Sequence, residues 1–131
     1  MTNRIASCSC GKLIVRTQGE PVRVSICHCL ACQKRSGSVF AAQARFPDGA
    51  VTIEGQSKEY VLTGDEGTSA RFHFCPDCGS TVFYRSDAIP GVVAVPVGAF
   101  ADPDFPQPRV SVYGVRQHQW VHLPDSIEQL D

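Results

Sequence analysis

The sequence predicts a mainly β domain, and three observations carry that prediction. Short runs of β-type residues recur, several with period-two alternation. Gly, Pro, Asp and Ser punctuate them. Only two short segments have helical character. Many short strands with few helices point to a sandwich or an open barrel.

Taken in order, strands are expected at Lys12–Thr17, Val22–Ile26, Val39–Phe46, Val51–Glu54, Glu59–Leu62, Ser69–Phe74, Thr81–Arg85, Val92–Val97 and Arg109–Tyr113. In "VFAAQARF" the alternation puts Phe40, Ala42, Ala44 and Phe46 toward a core, with Gln43 and Arg45 opposite. In "SARFHFC" Phe72 and Phe74 share one face, and Arg71, His73 and Cys75 share the other. Asp65-Glu66-Gly67 reads as a hairpin turn. A helical turn is expected after Cys29, over Leu30 to Arg35. A second is expected over Pro124–Leu130, capped by Asp125 or Ser126. Trp120 and Tyr113 read as core or edge packing.

At 131 residues the chain fits one domain spanning 1–131. A net charge of -1 with scattered Lys and Arg argues against nucleic acid as a partner. No stretch approaches the roughly 20 apolar residues of a membrane span. The N-terminal "MTNRIASCSCG" has no apolar signal core, so a cytoplasmic location without membrane contact is expected. Seven cysteines is an odd number and high for this length. In a protein that is not exported, close-set cysteines hold metal or do redox chemistry more often than they form a disulfide framework.

The cysteines divide four plus three. "CPDCG" (Cys75–Gly79) is a knuckle in which Pro76 fixes a turn and Gly79 tolerates positive φ. "CSCG" (Cys8–Gly11) ends in the same Cys-Gly pair. Together Cys8, Cys10, Cys75 and Cys78 would close a tetrahedral structural zinc site, tying turns 65 residues apart (Cys10 to Cys75). Free core thiols, or a redox pair at Cys75 and Cys78, are the alternatives. The latter lacks the expected βαβ surroundings.

Cys27, Cys29 and Cys32 remain, in the stretch "ICHCLACQKRSG". Three protein ligands and one open position are the pattern of a catalytic zinc. The alternatives are closure by a histidine, for which His73 is better placed than His28, or no metal. Three thiolates leave the zinc site with a net negative charge, which makes it a weak generator of hydroxide. It can still hold a fourth thiol deprotonated near neutral pH, where a free thiol of pKa about 8.5 is mostly protonated. The chemistry this favours is capture and activation of a small thiol. Lys34, Arg35 and Arg71 are candidate substrate-binding residues: the first two follow the triad directly, and Arg71, like Arg45, is a strand residue that can face the cleft. "RSGS" (Arg35–Ser38) is a turn that can present backbone N–H groups to an anion, and His28 is a candidate proton shuttle.

From "CSCG" through "CHCLACQKRSGS" and "FHFCPDCGSTVFY" to "VYGVRQHQWVHLPD", the chain resembles the glutathione-dependent formaldehyde-activating enzyme family, which also includes centromere protein V. The resemblance implies a β-tent fold of short antiparallel strands stapled by zinc, shared with a small Rab-exchange chaperone. It implies two zinc ions per chain: a structural one on Cys8, Cys10, Cys75 and Cys78, and a catalytic one on Cys27, Cys29 and Cys32. The implied reaction joins glutathione to formaldehyde as S-(hydroxymethyl)glutathione, a carbon–sulfur lyase reaction run backward. The competing function is a zinc-stabilised binding or chaperone module without catalysis.

Overall fold

The computed structural model describes residues 2–64 and 66–130. Among them the chain is mainly β, with strands β1 (Asn3–Ser7), β2 (Ile14–Gln18), β3 (Arg23–Cys27), β4 (Ala41–Pro47), β5 (Val51–Glu54), β6 (Lys58–Thr63), β7 (Ser69–Phe74), β8 (Thr81–Ser86), β9 (Val92–Pro96), β10 (Val110–Val112) and β11 (Glu128–Leu130). One helix, α1 (Leu30–Ser36), follows β3. β1, β2 and β5 form a small antiparallel sheet, and the other eight strands form a larger one in the order β11-β10-β3-β4-β9-β8-β7-β6. All nine expected strands are present, Val51–Glu54 and Ser69–Phe74 with the expected ends and the other seven with ends shifted.

The two faces of the large sheet do different work. Val24, Ala44, Phe46, Phe83, Val93 and Val95 meet Ala6, Leu13 and Val15 from the small-sheet side in one apolar cluster. Phe46, Phe100 and Phe105 continue it, with ring centroids 6.2 Å and 4.7 Å apart in succession. The opposite face follows from register, since directly paired residues project to the same side. Cys27 pairs with Ala41, Ser25 with Gln43 and Arg23 with Arg45. Arg45 pairs with Ala94, Ala94 with Tyr84, Tyr84 with Phe72, and Phe72 with Tyr60. This second face carries Cys27, the Arg23–Arg45 pair and the aromatic residues Tyr84, Phe72 and Tyr60.

Several expectations are corrected. β1 was not anticipated, because "NRIAS" has a single β-branched residue and leaves Ile5 exposed. The C-terminal helix expected over Pro124–Leu130 is instead a turn followed by β11. The Ile127 N–H bonds the Pro124 carbonyl, and the Glu128 N–H bonds the Arg109 carbonyl. The edge of β10 is already in place, and Glu128–Leu130 takes its hydrogen bonds there as a strand. β10 pairs in parallel with both β3 and β11, a departure from an antiparallel set. Gln43 lies opposite Ala44 and Phe46 as expected, yet it is buried, because β4 is central; the Gln43 amide donates to Ser25 Oγ at 2.9 Å. Trp120 and Tyr113 are 67% and 54% exposed, so neither is core. The β6–β7 hairpin closes through the Gly67 N–H on the Gly64 carbonyl; Asp65 lies outside the described residues.

Candidate functional site

Two turns of closely similar design bring Cys8, Cys10, Cys75 and Cys78 together, all four sulfurs within 4.8 Å of one another. In the first turn Gly11 N–H donates to the Cys8 carbonyl at 3.1 Å, and Leu13 N–H donates to Cys8 Sγ at 3.2 Å. In the second, Gly79 N–H donates to the Cys75 carbonyl at 2.8 Å, and Asp77 N–H donates to Cys75 Sγ at 3.4 Å. Gly11 and Gly79 have φ of 80° and 82°, where a side chain would be strained. Cys10 Sγ lies 3.6 Å from both Cys8 Sγ and Cys75 Sγ. The turns are clipped to each other by Ser9 and Ser80, whose hydroxyls are 3.0 Å apart, and by the exposed Lys12–Asp77 pair at 2.9 Å. Backbone hydrogen bonding, first from Ser80, holds the Cys78 thiol down at about 5.

Cys27, Cys29 and Cys32 form the second cluster, on the end of β3 and the first turn of α1, again within 4.8 Å. Cys29 caps the helix: its sulfur accepts the Cys32 N–H at 3.3 Å, a role usually filled by Ser, Asp or Asn. Gly37 ends the helix in the left-handed conformation, its N–H on the Gln33 carbonyl. Arg35 lies 4.4 Å above the Phe72 ring and 5.1 Å from that of Tyr84, with Nη2 3.7 Å from Cys32 Sγ. Hydrogen bonds from Cys27, then Cys29, and the Arg35 charge pull the Cys32 thiol down to about 5 against the opposing effect of burial. The bond with Cys32 and burial push Cys27 up.

Among the described residues no histidine or carboxylate joins this triad. His73 does not close it. Its ring hydrogen-bonds Ser57, faces Glu59 at 3.2 Å and stacks on Phe83, on the opposite side of β7 from Phe72. His28 is fully buried, with Nε2 3.0 Å from Ser111 Oγ, and burial lowers its pKa. Arg71 alternates away from Phe72 and sits between Glu59 and Asp87, at 3.8 Å and 3.9 Å. The structure therefore separates Arg71 from Arg35 and brings it to carboxylates. Lys34 is exposed on the rim of a cleft of about 300 Å³, together with Arg35, Tyr60, Leu62 and Phe72.

Gln33 is a site residue that sequence reading missed. Its Nε2 donates to the His28 carbonyl at 2.8 Å and to the Arg116 carbonyl at 3.3 Å, and its Oε1 is 3.0 Å from His118 Nε2. It clips the segment after β10 against the triad loop. Tyr113 turns that segment with φ 58°, a left-handed conformation uncommon outside glycine. Nothing local in the sequence announces contacts across more than eighty residues. A second cleft, of about 270 Å³, opens beside the triad helix, lined by Arg35, Phe40, Gln43, Tyr84 and Pro96.

By class this is a mainly β protein bearing a four-sulfur and a three-sulfur cluster, each able to hold a metal ion. The chain matches the family described as glutathione-dependent formaldehyde-activating enzyme over residues 3–116, and it belongs to that family. A crystal structure of a Rhodobacter sphaeroides protein aligns with a TM-score of 0.59 at 19% identity, covering 76% of this chain and 91% of that one. At that identity the likeness shows the fold alone. No curated protein matches the chain. No described helix is long and apolar enough to cross a membrane.

Proposed function

We propose that the protein is a zinc-dependent enzyme that joins a small thiol, such as glutathione, to formaldehyde or a related electrophile. Its formal class is carbon–sulfur lyase. Zinc fits the donors present. Thiolates at about 2.3 Å in a tetrahedron stand roughly 3.8 Å apart, and the 3.6 Å contacts of Cys10 with Cys8 and Cys75 are close to that. Cys8, Cys10, Cys75 and Cys78 would hold a structural ion, and Cys27, Cys29 and Cys32 a catalytic one. Bound at the triad, zinc supplies stabilisation of a substrate thiol in its deprotonated form near neutral pH.

The chain's own residues do the rest. Arg35 is held over two rings with its guanidinium beside Cys32 Sγ, so it steadies negative charge at the triad mouth. Gln33 fixes the wall opposite. Holding the thiolate against the carbonyl carbon is the larger contribution. A sulfur–carbon bond forms, the carbonyl π pair moves to oxygen, and oxygen takes a proton. The thiol has lost one proton and the oxygen gains one, so no redox partner is needed.

The observation that carries this reading is the unequal donor count, four against three, with a positioned arginine at the smaller cluster only. The test begins with protein purified with reduced thiols and no chelator. Up to two zinc ions per chain are expected, one for each cluster, one of them released sooner by chelator. Formation of S-(hydroxymethyl)glutathione, followed by NMR, should exceed the uncatalysed rate and fall when the looser ion is lost. No acceleration at any metal loading would refute catalysis. It would favour a zinc-stabilised binding module, for which the exposed Leu30, Tyr113, Val115 and Trp120 are suited.

A further inference from the structure

Arg23 and Arg45 face each other as direct partners across β3 and β4. Like charges in that arrangement repel. Burial, and then Arg23, lower the pKa of Arg45. Four other arginines are paired with carboxylates: Arg4 with Glu20, Arg16 with Glu54, Arg71 with Glu59 and Arg85 with Asp48. Among the described residues neither Arg23 nor Arg45 has a carboxylate within salt-bridge reach. Both are half-buried, and Arg23 Nε is buried with no hydrogen-bond partner. Unmet charged donors in such a place are costly, and an anion between two guanidinium forks would satisfy them.

Their position points to the anion's source. Arg23, Ser25 and Cys27 alternate onto one face of β3. The arginine pair therefore lies four residues along the strand from Cys27, about 13 Å at strand rise. The cleft lined by Arg35, Gln43 and Tyr84 opens between them. Tyr84 also borders a small cavity with Arg45 and Ala94. Its phenol feels the charges of Arg35, Cys32, Arg45 and Cys27 together, so these groups surround one ring.

We propose that Arg23 and Arg45 form an anion subsite that takes a carboxylate of the substrate while its sulfur occupies the triad. The substrate class is then a small thiol with a carboxylate at the far end of a flexible backbone. The sulfur's place rests on the function proposed above; anion binding at the pair does not. This pair fills the role expected of Arg71, which is already occupied by the protein's own carboxylates.

The test is an NMR titration of the metal-loaded protein, reading the side-chain Nε–H resonances of Arg23 and Arg45. Glutathione and S-methylglutathione should both shift them, and 2-mercaptoethanol should not. Arg45→Gln and Arg23→Gln should each weaken both carboxylated ligands about tenfold or more, leave 2-mercaptoethanol binding unchanged, and differ from a milder Arg45→Lys. Wild-type resonances that stay fixed with both carboxylated ligands would overturn the subsite, whatever the variants do. So would undiminished affinity in both glutamine variants. If S-methylglutathione and glutathione shift the arginines alike, while glutathione leaves the spectrum of a cobalt-substituted triad unchanged, the subsite stands and the thiol chemistry proposed above falls.

Discussion

Cys8, Cys10, Cys75 and Cys78 come from two turns far apart in sequence, whereas Cys27, Cys29 and Cys32 come from one continuous segment. The first cluster is cross-braced: each turn donates a backbone N–H to its own sulfur, and side chains clip one turn to the other. The second is held from one side by the α1 cap, and its other neighbours are an arginine and a cleft. The contrast separates two uses of the same atom. Sulfurs that join distant chain segments convert metal binding into folding free energy, because the unfolded chain cannot preform the site. Sulfurs that lie close in sequence close little chain, so their metal contributes less to folding and is freer to engage a substrate.

The comparison breaks most visibly through single serine substitutions. Cys75→Ser should remove most of the folding free energy, leaving a protein that melts far earlier or does not fold. Cys29→Ser should leave a folded protein that has lost the looser ion and its thiol chemistry. Thermal melts and metal analysis on both variants decide this. Equal destabilisation by the two would make the triad a second staple.

A smaller effect sharpens the site face. Burial pushes the Tyr84 phenol up to about 12, against an ordinary value near 10, while the Arg35 charge works in the opposite direction. A raised folded-state value contributes stability that is intact below pH 10 and is lost as pH rises from 10 through 12. Tyr84→Phe should remove that alkaline loss, on the order of 2 kcal/mol between pH 9 and 12. Urea titrations of both proteins across that range measure it. Identical pH profiles would mean that Tyr84 is not held neutral by its surroundings.

The smallest effect concerns Gln33. Gln33→Leu removes the hydrogen bonds to the His28 and Arg116 carbonyls and should cost about 1 kcal/mol for each. Amide exchange should quicken in residues 113–121 while the Cys8–Cys75 turns are unchanged. Uniform quickening would show that Gln33 supports the whole fold rather than one wall of the triad.

How much was legible in the sequence varies from residue to residue. The Cys75–Gly79 and Cys8–Gly11 turns were readable because the glycine and the sulfur spacing are local requirements. Most strands were readable because alternation is local too. The partner of Arg71 was not: its carboxylates come from β6 and from the residue after β8, and adjacency between strands is not written in either one. Gln33 and Arg23 were missed for the same reason. Each looks like an ordinary polar residue until register places another chain segment beside it. Trp120 was misread because a large aromatic side chain usually packs inward, and here the clip at Gln33 and His118 holds its segment on the surface.

The sequence by itself determined the β class and the division of the cysteines into four and three. These depend on spacing, periodicity and turn chemistry, which act over a few residues. Only the tertiary structure decided which face of the large sheet carries the triad. It also decided that His73 and Arg71 turn away from the triad, and that Arg23 and Arg45 meet without a counter-ion. Those outcomes depend on strand order and register, where a shift of one residue moves every side chain to the other face. That register is set by burying both faces of β3 and β4 at once, a condition no single strand can express.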